Sequence, residues 1–282
     1  MRPYIVKAPA YDSNSGGCMV IHRLCHELNM RGQEAYVAHR LINPDWKTPY
    51  YGDNRSGQVF EEWKTERDLI SIHPEISFGN IFNTRTVVRY LLNNAGKLSG
   101  PKEFDASDIL FAFSHMFNDF NLPEERIMFL PILDTDVFQD GHLDRNLITF
   151  YNGKGWRGIE NDFISNLSEE EKKLPIVEIV RETSKDPHNL SNILQRSKTL
   201  YCYDNITAMT EISRLCGAPV IIVPNGEYTK EQYDKHELGW NGLGWGETPR
   251  HFDSAKFRED YLQLKETFYE KLDYFIEVTQ ND

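Results

Sequence analysis

The residues whose types and spacing invite chemistry cluster around glycines and the ends of apolar runs. In "YNGKG" (Tyr151–Gly155), Lys154 stands between two glycines after a predicted strand. A cation there can neutralise a diphosphate leaving group, or it is simply a solvated loop lysine. Arg157, three residues on, is a second and weaker candidate. "SNSGG" places Gly16 and Gly17 directly before a predicted helix. Backbone N–H groups at such a terminus bind anions and glycine lets a phosphate come close, although a double glycine more often serves plain turn chemistry. His115 closes "DILFAFSH", where a histidine is a base, a hydroxyl ligand or a satisfied structural group. His22 and His26 stand four apart on a predicted helix beside Glu27, a spacing that reaches a metal. The HExxH pattern is absent and both flank an apolar stripe, so no metal is expected. Glu211 lies a few residues into a segment, "TAMTEISRLCG", that otherwise looks built for packing.

These residues need elements to hold them. "PYIVKAP" reads as a strand. After a polar loop, "CMVIHRLCHELNMRG" reads as a helix, with Ile21, Leu24, Cys25 and Leu28 on one face and Gly32 as its stop. "EAYVAHR" is the next strand, so the chain opens on a βαβ unit and a parallel sheet is expected. "DLISIHPEI", "DILFAFSH" and "RIMFLPI" read as further strands, and "NTRTVVRYLLN" as a helix with an asparagine cap. The turn-rich stretch "LDTDVFQDGHLDRN" marks a domain junction at about 138–146. The pattern then begins again. "LITFY", "IVEIV", "TLYCY" and "APVIIVP" are strands, and "DPHNLSNILQRS", with an Asp cap and Pro at its first turn, is a helix like "NITAMTEISRLCG". From Ser254 to about Val278 runs one amphipathic helix carrying Phe257, Tyr261, Leu264, Phe268 and Leu272. "LGWNGLGWG" either lines a ligand or packs as a compact loop on Trp240 and Trp245. The expected class is α/β: two Rossmann-like domains facing a cleft, over residues 1–142 and 143–282, with a C-terminal helix. Ligands in such sheets bind beyond the carboxyl ends of the strands.

Bulk composition narrows the partners. The 282 residues suit two ordinary domains, and 40% hydrophobic content supports a sizeable core. The formal net charge is −12, which argues against a nucleic-acid backbone as the main partner. The acidity is spread over both halves. The four cysteines form no CxxC pair and read as small buried hydrophobes in a reducing compartment. No signal peptide or membrane-length apolar run is present, so the expected location is the cytoplasm, with membrane association at most peripheral.

Together the motifs resemble glycosyltransferases of the GT-B fold, and more specifically their GT4-like family. "NSGGCMVIHRLCHELNMRGQEAYV" is similar to that family's first motif, "SDILFAFSH" to its strand ending in histidine, and "FLPILDTDVF" to its interdomain segment. "LITFYNGKG" resembles the opening strand and basic loop of the sugar-nucleotide domain, and "TEISRLCGAPVIIVP" the family's strongest motif. The resemblance implies that Glu211 binds the ribose hydroxyls, Lys154 the diphosphate, and that Thr207 lies in the turn receiving it. It further implies that Gly16 and Gly17 admit the donor phosphates and that His115 lies near the transferred sugar. The family places an acid eight residues before the glutamate. Here that position is Tyr203, followed by Asp204, so the acid has either shifted by one or is missing.

The resulting expectation is an enzyme that moves a sugar from a nucleotide-sugar donor to a saccharide or lipid-linked acceptor in bacterial polysaccharide synthesis, with no cofactor and no metal. A non-catalytic nucleotide-sugar or glycan-binding protein and a sugar-nucleotide epimerase are the alternatives.

Overall fold

The computed structural model describes residues 1–51, 66–153 and 167–282. The chain divides into two compact units, Met1–Ile132 with Leu264–Asp282, and Leu133–Gln263.

The first unit is built on β1 (Tyr4–Val6), α1 (Gly16–Met30), β2 (Ala35–Val37), β3 (Ile70–Pro74), β4 (Thr86–Leu91) and β5 (Ile109–Ala112). Its sheet order is β2-β1-β3-β4-β5, and every pairing is parallel. Helix α1 forms where the stripe predicts it. Ser15 caps it by accepting from the Cys18 N–H at 3.4 Å. Ile21, Leu24, Cys25 and Leu28 are all at most 1% exposed, each large side chain contributing about 1.5–3 kcal/mol by leaving water. The helix stops because Gly32 takes φ +77°, which costs glycine nothing.

The second unit comprises β6 (Leu147–Tyr151), β7 (Ile176–Glu178), α2 (Arg181–Ser184), α3 (Pro187–Gln195), β8 (Ser197–Cys202), α4 (Met209–Leu215), β9 (Val220–Ile222), α5 (Lys230–Tyr233) and β10 (Leu243–Trp245). Asp186 caps α3, accepting from His188 and Asn189 N–H groups. The sheet order is β10-β9-β8-β6-β7, again all parallel. Counted from each unit's own first strand, both sheets therefore run 2-1-3-4-5, the doubly wound order. In that order the strand sequence reverses beside the first strand, between β1 and β3 and between β6 and β8. Ligand crevices of such sheets open at the carboxyl ends there.

Three expectations are corrected. The segment "NTRTVVRYLLN" is no helix: Thr86–Leu91 is the strand β4, buried at all six positions. Val87, Val88 and Tyr90 favour a pleated surface, and insertion between β3 and β5 overrides the helical spacing. Arg89 can sit mid-strand because it pairs with Asp108 at 2.6 Å and donates to the Ser77 and Gly79 carbonyls. The segment "RIMFLPI" is not a strand: Arg126 ends a short helical turn and Ile127 meets Ala112 in an isolated bridge. Finally, the last helix, α6 (Ser254–Asn281), does not belong wholly to the second half. Phe268, Leu272 and Phe275 enter the core of the first unit with Tyr4, Val6, Leu24 and Phe111. Tyr261, on the earlier part of α6, accepts from the Leu133 N–H in the second unit. The unit boundary thus falls at 132/133 and again at 263/264, where sequence reading set 142/143.

The four cysteines are free and buried. Among the described residues no helix is long and apolar enough to cross a membrane.

Candidate functional site

The second unit concentrates its chemistry at the carboxyl ends of β6, β8 and β9. Strand β6 ends in Tyr151, followed by Asn152 and Gly153, and its neighbour β8 runs straight into Tyr203, Asp204 and Asn205. Gly153 has φ +67°, and a Cβ there would collide with the Asp204 side chain. The glycine is therefore required by the acid as well as by the turn. Asp204 is 5% exposed, and its Oδ1 accepts from the Ile206 N–H at 3.2 Å. The Tyr151 hydroxyl is held protonated to higher pH by burial and, next, by the Asp204 charge, while a hydrogen bond with Thr207 works the other way. The ends of β8 and β9 are strapped together. Asn205 donates to the Val223 carbonyl at 3.1 Å, and Asn225 to the Tyr203 carbonyl at 3.0 Å.

Helix α4 carries Glu211, which is 8% exposed. Oε1 meets Nε2 of His236 at 3.2 Å. Oε2 is out of solvent and has no hydrogen-bond partner among the described residues. An unpaired buried polar atom costs about 1–3 kcal/mol, more when charged. Arg214, one turn on, is fully buried, and its positive charge acts on Glu211. Its Nε donates to the Thr210 carbonyl, and its Nη1 to the Gly239 and Asn241 carbonyls at 3.1 and 3.3 Å. The guanidinium also lies 4.2 Å from the Phe257 ring centroid. Arg214 thereby anchors "LGWNGLGWG" onto α4. In that loop Trp240 donates to Asp234 at 2.7 Å, and both Trp240 and Trp245 pack on Tyr233. The packing role of this loop is thus visible, and its last residues form β10.

The residues expected from sequence separate accordingly. Asp204, Thr207 and Glu211 gather at this carboxyl-end edge. Thr207 spends its side chain on the start of α4, accepting from the Met209 N–H at 3.3 Å. Tyr203 is 1% exposed and packs with Ile148, Leu167, Tyr201 and Ile221 in the core. Lys154 and Arg157 lie outside the described residues. In the first unit, Gly16 and Gly17 open α1 after β1, at that sheet's reversal point. Nothing lies within 4 Å of a Cβ built on Gly16. His115 stands three residues past β5, on the far edge of the sheet from β1, in a short helical turn capped by Ser114. Its Nε2 meets Glu124 at 2.7 Å, and Lys271 pairs with the same carboxylate. His22 and His26 do not converge. His22 bonds the Pro9 carbonyl at 2.9 Å, and His26 accepts from the Lys47 N–H at 2.7 Å.

Sequence reasoning missed His236, Tyr233 and Arg214. Arg214 at i+3 from Glu211 was the one available signal. The contact with His236 crosses 25 positions and left no local pattern.

No family model matches the chain. No curated protein matches it either. Among solved structures, it is similar to the glycosyltransferase SnogD from Streptomyces nogalater, at 10% identity over 99% of both chains with a TM-score of 0.45. The spinosyn rhamnosyltransferase SpnG complexed with thymidine diphosphate shares 11% identity over 100% of both chains, with a TM-score of 0.46. An alpha-glucosyltransferase in complex with UDP and a 13-mer DNA containing an HMU base shares 12% over 96% of this chain and 95% of that one, with a TM-score of 0.47. At these values the likeness carries no argument about activity, and the class, α/β with two Rossmann-like units, is read from the sheets themselves.

Proposed function

We propose that the chain is a glycosyltransferase that moves a sugar from a nucleotide-sugar donor to a saccharide or lipid-linked acceptor in bacterial polysaccharide synthesis. The second unit binds the nucleotide and the first serves the acceptor. The observation that carries this reading is Glu211, whose second oxygen is buried without a hydrogen-bond partner among the described residues, at the carboxyl edge of a doubly wound sheet. A ribose hydroxyl is a donor of the right kind for it. The remaining roles follow the motif resemblance. Lys154 and Arg157 neutralise the diphosphate, Thr207 lines its turn, and Gly16 and Gly17 admit the phosphates. Asp204 takes the place of the acid that contacts the sugar, and His115 faces the transferred group. Charge neutralisation by these side chains does the work of a metal, so none is required.

A second reading, a non-catalytic nucleotide-sugar binder, is favoured by one observation: Tyr203, at the position where the resembled family carries its acid, is built into the core. Calorimetric titration with nucleoside diphosphates tests the donor site, and turnover of the corresponding nucleotide sugar separates enzyme from binder. Lys154→Ala and Glu211→Ala are each expected to lose donor binding or turnover. Wild-type rates in either variant would sink the assignment.

A further inference from the structure

We propose that His236 is a positioning residue for Glu211, aiming its open oxygen at a ribose hydroxyl, so that the site selects ribonucleotides over nucleotides lacking both ribose hydroxyls. This rests on the nucleotide-binding reading given above.

The proton inventory of the ring assigns the role. The Leu238 N–H donates to Nδ1 at 3.2 Å, which makes Nδ1 an acceptor. The ring proton of the neutral imidazole then sits on Nε2, which faces Oε1 of Glu211 at 3.2 Å. With both nitrogens facing partners the ring is fixed in orientation. Its plane is held from the side by Tyr233, stacked at a centroid distance of 5.3 Å and 8° between planes. The Tyr233 hydroxyl stays protonated, through burial first and the Glu211 charge second. Among the described residues, the charged and titratable groups around the carboxylate are Arg214 on its own helix, Cys202 on β8 with Asp204 just beyond, Tyr233 on α5 and His236 after it. Of these, only His236 forms an ion-pair or hydrogen-bond contact with a Glu211 side-chain oxygen, and it fixes Oε1 and so the direction of Oε2. A hydroxyl donating to that oxygen makes a charge-assisted bond, which corresponds to roughly a tenfold to hundredfold preference for a ligand that has it.

The test uses the full chain and calorimetry with UDP, CDP, GDP and ADP, each beside its 2′,3′-dideoxy counterpart. Wild type is expected to bind at least one ribonucleotide about tenfold to hundredfold tighter than its dideoxy form. Glu211→Gln removes that ratio. His236→Leu removes it too, lowering ribonucleotide affinity more than dideoxy affinity, a split that general damage to the fold would not produce. His236→Gln, whose amide N–H falls near the position of Nε2, restores the ratio, and His236→Asn, whose amide falls near Nδ1, does not. The Gln/Asn pair decides the matter should the leucine variant fail to fold. Equal ratios in His236→Gln and His236→Asn, or an intact ratio in His236→Leu, overturn the positioning role and leave the nucleotide site standing. An intact ratio in Glu211→Gln overturns the ribose role of Glu211, and no binding of any of the four diphosphates by wild type overturns the nucleotide reading itself.

Discussion

Gly153 is the position where backbone and site are most tightly coupled, and replacing it with alanine separates their contributions. The residue sits at φ +67°, in the left-handed region, where a Cβ costs roughly 1–2 kcal/mol. The less flexible unfolded chain of the alanine variant returns about 0.4–1 kcal/mol. The new Cβ also collides with Asp204, whose Cβ and Oδ2 are the nearest atoms. Asp204 is 5% exposed and bonded through Oδ1 to Ile206, so it can move only by leaving its rotamer or shifting backbone. Overpacking of that kind costs about 1–3 kcal/mol. The net expectation is a loss of about 2–3 kcal/mol in stability, read from the midpoint of urea unfolding at unchanged slope. The same displacement moves the acid that the proposed site uses, so nucleoside diphosphate affinity should fall in the folded variant as well. A Gly153→Ala protein within about 0.5 kcal/mol of wild type, the range of ordinary surface substitutions, would refute the coupling between the glycine turn and Asp204.

Gly16→Ala is the complementary case. It lies in the first turn of α1 with open space around its Cβ, so stability should hold or rise by up to about 1 kcal/mol, while any loss in donor affinity reports a phosphate approaching that backbone. Arg214→Leu takes the guanidinium donor from two loop carbonyls, of Gly239 and Asn241, inside the second unit. A loss of about 3–5 kcal/mol is expected, and a denaturation midpoint like that of wild type would show that Arg214 does not anchor the tryptophan loop. His73 is fully buried beside Ser71, and burial pushes its pKa down to about 3. Because its folded pKa lies below the unfolded value near 6.5, the unfolded state binds the extra proton between pH 6.5 and about 3. Stability contributed by this group is therefore intact above 6.5 and falls as the pH drops, by up to about 1.4 kcal/mol per unit. His73→Gln should flatten acid unfolding across that window, and an unchanged pH profile in the variant contradicts the assignment.

Most of the fold was legible in residue order. Strands β1, β2, β3, β5 and β6 to β9 stand where short apolar runs end in glycine, proline or polar residues, and α1, α3 and α6 where the apolar period and caps point. Such signals are local, so they survive without knowledge of neighbours. Strand β4 was not legible. Val87, Val88, Tyr90 and Leu91 fit a helical face and a buried strand alike, and only the flanking strands β3 and β5 decide between them. The burial of Arg89 likewise depends on Asp108, 19 positions away. The terminal helix was legible as a helix, but its period says nothing about which core receives Phe268, Leu272 and Phe275.

The candidate site divides the same way. Sequence by itself determined that Asp204, Thr207 and Glu211 follow a strand and open a helix, because spacing along one chain segment sets that much. Tertiary structure alone decided that Gly153 lies against Asp204, since β6 and β8 are 46 or more residues apart in sequence and become neighbours only through the doubly wound order. It alone decided that Tyr203 turns into the core and that His236 meets Glu211 with its proton on Nε2. Hydrogen bonds between distant residues carry no period and no local composition, and their partners are chosen by the packing of strands and helices in space.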